Sequence, residues 1–186
     1  MKRVLVLILL TAFMFGCSKK YDQMGHALDL RSRLLNAEEC SFDVEITADY
    51  GDKIHTFEMS CISNSSGDLT FRVTKPDSIS GISGSITPDN GQLTFDNQIL
   101  SFSTIAEGQI TPVSAPWVFI NTLKNGFIRA CGEQEEGFWV QIDDSYRDDA
   151  LALDIWINDK DQPIAADILW DGRRILSLRI TNFVLL

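Results

Sequence analysis

The chain has 186 residues, of which 26 are Asp or Glu and 16 are Lys or Arg, giving a formal charge of −10, and 45% are apolar. That balance repels nucleic acid, because a phosphate-binding face needs clustered cations and the basic residues are scattered apart from Arg173-Arg174. The apolar share excludes a disordered chain, and the length suits one domain burying roughly 70% of its unfolded surface.

Met1-Lys2-Arg3 precedes the apolar run Leu5 to Cys17, LVLILLTAFMFGC. A short basic start, an apolar stretch of about a dozen residues and a small residue at its end make up an export signal. The run is shorter than the ~20 residues a spanning helix needs. Gly16-Cys17 resembles the bacterial lipobox, in which diacylglycerol is placed on the cysteine and the chain is cut before it. Met14 and Phe15 depart from the Leu and small residue usual there, and an ordinary secretory signal with an incidental cysteine is the bland alternative. The resemblance implies a lipoprotein signal peptide over 1–16 and an acyl anchor, palmitate-like in chemistry, on Cys17. Residues 17–20 are then a lipidated tether whose Lys19 and Lys20 suit anionic headgroups. Residues 21–186 become one extracytoplasmic domain, held on the cell membrane, or on the outer membrane if the organism has one.

Tyr21 to Glu39 spaces Met24, Ala27, Leu28, Leu30, Leu34, Leu35 and Ala37 as an amphipathic helix does, without proline. Cys40 to Ala48 and Lys53 to Ile62 alternate as a half-buried hairpin, with Phe42, Val44 and Ile46 facing away from Asp43, Glu45 and Thr47. Taking Asp49-Tyr50-Gly51-Asp52 as the turn pairs Ile46 with His55, Val44 with Phe57, Phe42 with Met59 and Cys40 with Cys61. That register permits a Cys40–Cys61 disulfide and leaves Cys131 a thiol, while three reduced, buried cysteines suit the same residues equally.

Leu69, Phe71 and Val73 alternate up to Pro76, which closes the strand or marks an edge. Ile79 to Ile86 reads as a strand interrupted by Gly81 and Gly84, and Asn90-Gly91 as a positive-φ hairpin turn leading into Leu93 and Phe95. Ile99 to Ser103 is a further short strand, after which the pattern lapses from Ile105 to Pro116. Ala115 to Asn125 then predicts a helix stopped at Gly126. Its Trp117, Val118, Phe119, Ile120 and Leu123 are apolar around much of the circumference, so it is buried or caps an opening.

Strands follow over Gly126 to Cys131, Gly137 to Ile142, Leu151 to Ile157, Pro163 to Trp170 and Arg173 to Phe183, the last two meeting at Asp171-Gly172. In that pair Ile164, Ile168, Trp170 and Ile175 occupy one face and Leu169, Leu176, Leu178 and Ile180 the other, so either face suits the interior. The elements add up to an α+β fold, a curved antiparallel sheet for which the two helices are the available cover.

The segments FRVTKPDSISGISGSI and DNGQLTF, the proline-bearing loop before a short helix, and the closing Asp-Gly hairpin ending in Asn182-Phe183 together resemble the LolA and LolB family of lipoprotein carriers. Relatives of that family include clostridial lipoproteins associated with spore germination. The likeness covers roughly 21–186 and is a pattern of strands and turns. It implies an incomplete antiparallel β-barrel, a half-pipe whose apolar concavity is closed by an N-terminal helix and a short loop helix. In the carriers that concavity accepts acyl chains, and some relatives serve as protein-binding modules instead.

No catalytic set emerges from the residues. His26 and His55 have no metal-ligand partner at a recognisable spacing, and Gly81-Ile82-Ser83-Gly84-Ser85 is a residue short of a nucleophile elbow and leads into no helix. Asp159-Lys160-Asp161 lacks the rest of a calcium loop, and Asp143, Asp144, Asp148 and Asp149 read as a solvated acidic loop. Neither metal nor cofactor is implied. The expectation is a non-catalytic, membrane-anchored lipoprotein binding a lipid or acyl chain. Phe42, Val44, Ile46, Phe57, Phe71, Val73, Trp117, Phe119, Trp139, Leu153 and Ile155 would line or lid the concavity, or simply form a filled core, since both need inward apolar side chains. The alternative is a tethered regulatory module that docks an envelope or spore-cortex protein.

Overall fold

The computed structural model describes residues 22–49, 51, 53–88, 90–96, 98–102, 105–106, 109–148 and 150–186. The signal segment, Cys17, the tether and Tyr21 lie outside these residues. A first helix, α1 (Gln23–Asn36), precedes eight strands: β1 (Glu39–Asp49), β2 (Ile54–Asn64), β3 (Leu69–Lys75), β4 (Ser83–Ile86), β5 (Gly91–Phe95), β6 (Gln98–Phe102), β7 (Ile105–Ala106) and β8 (Gln109–Ile110). A single 3-10 turn, Pro112–Ser114, leads into α2 (Ala115–Asn125). Five strands close the chain: β9 (Phe127–Gln134), β10 (Gly137–Asp143), β11 (Leu151–Ile157), β12 (Pro163–Trp170) and β13 (Arg173–Leu185).

Eleven strands form one antiparallel sheet in the order β6-β5-β4-β3-β2-β1-β13-β12-β11-β10-β9, with β7 and β8 paired separately. Two meanders, β1–β6 and β9–β13, are therefore sewn together where β1 meets β13, with Ile46 opposite Leu178 and Val44 opposite Ile180. The sheet does not close on itself, since β6 and β9 remain its ends. This is the expected α+β half-barrel. One core runs through it, from Leu30 and Leu34 of α1 and Phe119 of α2 to Val44, Ile46, Leu153 and Ile155.

Strict alternation explains β1. Phe42, Val44, Ile46 and Ala48 are buried, while the other face carries a polar ladder. Asp43 accepts from Ser60 Oγ at 2.6 Å and Asn182 Nδ2 at 2.7 Å, and Thr47 meets Thr56 at 3.3 Å. The β1–β2 register differs from the expected one by two residues: Ile46 lies opposite Phe57, Val44 opposite Met59, Phe42 opposite Cys61 and Cys40 opposite Ser63. Pairing starts with Asp49 opposite Ile54, and the Asp49 carboxylate accepts from the Gly51 amide at 2.8 Å, which favours the longer loop. A slip of two leaves each face unchanged while exchanging the exposed His55 for Phe57 as the neighbour of Ile46.

Two further corrections concern turns. Ile79 to Gly81 belong to a turn, with the Ile79 amide bonded to the Pro76 carbonyl at 3.1 Å and Gly81 at φ +90°, so β4 starts only at Ser83. Gly91 is the first residue of β5 and has no positive φ; the turn spans Thr87 to Asn90, closed by the Thr87 amide bonding the Asn90 carbonyl at 2.8 Å. Glycine is needed there because the Phe102 ring of β6 lies where a Cβ would stand. Asp171-Gly172 is the turn anticipated, both residues having positive φ, at 50° and 70°. In the pair it joins, Ala166, Ile168, Leu176, Leu178 and Ile180 are the inward set. Bulges at Ile168/Leu169 and Ser41/Asp43 shift the alternation locally, which is why the residues alone left the choice open.

Candidate functional site

The concave side of the sheet is filled along most of its length. On α2, Trp117 donates from Nε1 to the Gly67 carbonyl at 2.9 Å, pinning the helix start beneath the β2–β3 turn. Phe119 has no exposed surface and meets Phe42 edge-on, with ring centroids 5.9 Å apart at 75°. Phe183 closes the other side of Phe42 at 6.1 Å. Pro116 in the first turn costs α2 no hydrogen bond, because that amide has no intrahelical partner anyway.

Helix α1 covers the far end of the C-terminal meander. Asp22 caps it by accepting from the Gly25 amide at 3.0 Å, and it buries only Ala27, Leu30 and Leu34. Met24, Leu28 and Leu35, expected on its apolar side, are exposed. Polar contacts complete its seat. Arg31 donates from Nε to the Leu123 carbonyl at 2.8 Å, His26 Nδ1 lies 3.1 Å from Asp161, and Arg33 lies 3.6 Å from the same carboxylate. Burial lowers the pKa of Arg31, which stays a cation, its Nη2 without a hydrogen-bond partner among the described residues.

The residues named for the concavity fall into three groups. Phe42, Val44, Ile46, Phe71, Val73, Trp117, Phe119, Leu153 and Ile155 are buried in the packed core. Phe57 is half-buried against it. Trp139 is on the other face: in β10 the inward residues are Phe138, Val140 and Ile142, and Trp139 pairs outward with Trp156. Its ring lies across Gly132 of β9, where a Cβ would come within 2.6 Å of the indole nitrogen. Three adjacent apolar residues, Phe138, Trp139 and Val140, concealed which face was which. Only Gly132 across the strand, a residue that leaves room for a flat indole, signalled it.

The open part of the concave face was missed as a site. Directly opposed residues of an antiparallel pair share a face, so the register Phe71–Gly84–Leu93–Leu100 places Leu93 and Leu100 on the side of the buried Phe71. Phe95, two residues beyond Leu93, joins them. Leu93 is half-buried against the core, but Phe95 is 56% exposed and Leu100 64%. An apolar strip thus runs without a break from packed core to solvent across β4, β5 and β6. Neither helix makes more than marginal contact with these strands.

The cysteines are free thiols in the structure, Cys40 and Cys61 buried and Cys131 half-buried. The corrected register sets Cys40 and Cys61 on diagonal positions of one face, no longer directly opposed. Burial pushes the Cys40 thiol up to about 12 and raises that of Cys61 further, aided by Asp43. Among the described residues no group of three or more His, Cys, Asp or Glu could hold a metal ion, and no helix is long and apolar enough to cross a membrane. Asn158 ties the Asp159-Lys160-Asp161 tip through the Lys160 and Gln162 amides, and Asp144 accepts from the Leu151 amide at 2.9 Å, so both acidic loops are held by their own backbones. Asp149 lies outside the described residues.

An open antiparallel half-pipe, apolar within and closed in part by two helices, is a fold that this chain shares with solved bacterial proteins. The chain is similar to a domain assigned to outer membrane lipoprotein sorting from Vibrio parahaemolyticus, at 7% identity over 87% of this chain and 91% of that one, with a TM-score of 0.51. It is similar too to a LolA superfamily protein from Nitrosomonas europaea (11% identity, 86% and 93% covered, TM-score 0.47). A third likeness is to the Mycobacterium tuberculosis lipoprotein LppX (11%, 87% and 92%, 0.42). No protein-family model and no curated protein matches the chain. At these identities the likeness is one of fold, and it carries nothing towards the clostridial germination branch.

Proposed function

We propose that the protein is a non-catalytic lipoprotein, anchored through Cys17 to the outer side of a membrane, that binds an acyl chain along the open end of its half-pipe. The observation that carries this reading is the strip Leu93, Phe95 and Leu100, apolar and solvent-facing on the concave side of strands that neither helix of the described residues covers. An acyl chain laid there would bury apolar surface on both partners at roughly 25 cal/mol per Å². The filled core beneath α2 confines the ligand to β4–β6 and leaves Phe42, Phe119 and Trp117 as structural floor. The fold is shared with a domain assigned to outer membrane lipoprotein sorting.

The chain from residue 21 onward, purified without the tether, is to be weighed by native mass spectrometry and then extracted with organic solvent. A stoichiometric acyl lipid is expected, lost in Phe95→Glu and Leu93→Glu variants whose circular dichroism is unchanged. A clean apo mass that takes up no added fatty acid or phospholipid would sink the reading. Anchoring is tested apart from this: Cys17→Ala should move the full-length protein from the membrane fraction to the soluble one.

A further inference from the structure

The two ends of the sheet are built differently. β9 is guarded: Arg129 pairs with Asp143 of its neighbour at 3.4 Å, and α1 lies against the strand, with Gln23 donating to Glu133 at 3.1 Å. β6, Gln98-Ile99-Leu100-Ser101-Phe102, has no charge and no proline, and among the described residues no strand pairs with its free side. Ile99 faces outward at 69% exposure and Leu100 inward at 64%. Soluble sheets suppress such an edge with lysine, proline, a bulge or a covering element, because its unpaired amides and carbonyls template a further strand.

We infer that a second copy of this chain occupies it, β6 pairing antiparallel with β6 about a two-fold axis through Leu100. The segment that fits must be extended, uncharged over five residues and apolar on both faces, and β6 itself meets all three conditions. Centred on Leu100, the pairing sets Leu100 against Leu100 and Gln98 against Phe102 on the concave side, and Ile99 against Ser101 on the outer side. Charge favours the same place. Asp96 is the one charged residue among the described residues of β5, β6 and their turn, so two chains of formal charge −10 meet where they repel least. Repulsion between more distant charges is screened beyond ~8–10 Å. The contact is isologous, so it closes as a dimer and does not propagate. It joins two half-pipes edge to edge with their exposed concave strips adjacent. Five paired residues make a small interface, which holding both copies on one membrane strengthens by raising their effective concentration.

The test uses the full-length protein in the membranes of the expressing cell, with Cys131→Ser as background. Leu100→Cys places two thiols across the axis, with Cβ atoms ~4.5–5.5 Å apart, and mild oxidation should give a covalent dimer. Adding Ile99→Lys, on the outer face and away from the acyl strip, should cut that dimer by about tenfold or more, because the two new cations face the partner's Ser101 and lie diagonally across the axis, ~7–8 Å apart and within the screening length. Val184→Cys, exposed on the outer face far from β6, should stay monomeric. The proposal is overturned if Leu100→Cys does not cross-link, if Val184→Cys cross-links as well as it does, or if Ile99→Lys changes nothing. Ile99→Lys with unchanged circular dichroism excludes misfolding as the cause of a loss.

Discussion

Strands β10 to β13 and the outer part of β5 and β6 each place apolar residues on the concave face, yet these residues meet opposite fates. Phe138, Val140, Leu153, Ile155, Ile168 and Leu178 are buried, while Phe95 and Leu100 stand in solvent. The difference is the helical cover. Helix α2 packs against β10, β12 and β2, and α1 packs against α2 and β9, so the apolar face of the C-terminal meander is roofed. Among the described residues, the far end of the N-terminal meander has no such roof. Alternation decides which side chains share a face, and a second layer decides whether that face is core or surface.

The largest effect should come from removing the roof. Phe119→Ala leaves a void between α2 and Phe42 in the closed half, and a loss of ~3–5 kcal/mol in urea or guanidinium unfolding is expected. An effect below ~1 kcal/mol would mean that α2 is not packed as the structure shows, and the contrast between the halves would collapse.

The buried thiols of β1 and β2 sharpen the comparison by pH. Desolvation raises Cys40 from 9.0 to about 12 and raises Cys61 in the same direction. The folded state therefore keeps protons that the unfolded chain gives up above pH 9. The stabilisation is complete below that value and is lost as pH climbs towards 12, at about 1.4 kcal/mol per pH unit for each thiol. Cys61→Ala should flatten the alkaline slope of the unfolding free energy by about that amount. The same burial predicts that an alkylating reagent modifies Cys131 first in the native protein and all three thiols after denaturation. Finding only one free thiol under denaturing, non-reducing conditions would instead restore a Cys40–Cys61 bridge.

Much of the fold was legible because its signals are local. The Asp171-Gly172 turn, the two helices and the alternation in β1, β3 and β11 are each decided within a few residues. What escaped was decided across strands. The β1–β2 register slipped by two without altering either face, so hydrophobic pattern could not detect it, and the Asp49–Gly51 hydrogen bond, a matter of loop geometry, fixed it instead. Trp139 was placed inward because it is apolar, whereas its ring needed the space over Gly132 and the company of Trp156 outside. The candidate site itself was legible only in part. Leu93 and Phe95 were visible only as residues of a strand after a turn, and that their strand lies beyond the reach of α2 is a property of the eleven-stranded order alone.

The smallest stability effect should fall in the open half, and there it separates a site from a poorly covered core. Phe95→Ser replaces a side chain that is 56% exposed, so its transfer from water on folding is already small. Surface substitutions of this kind stay within about 0.5 kcal/mol, against several for Phe119. Were Phe95 merely an uncovered residue at the sheet's ragged end, the substitution would cost nothing further, and lipid uptake in the native mass spectrum would be the same for both proteins. If the strip is where an acyl chain lies, the same serine should leave the unfolding midpoint in place and remove the bound lipid. A variant that loses stability and lipid together would erase the distinction between the halves, because Phe95 would then be holding the fold and not the ligand.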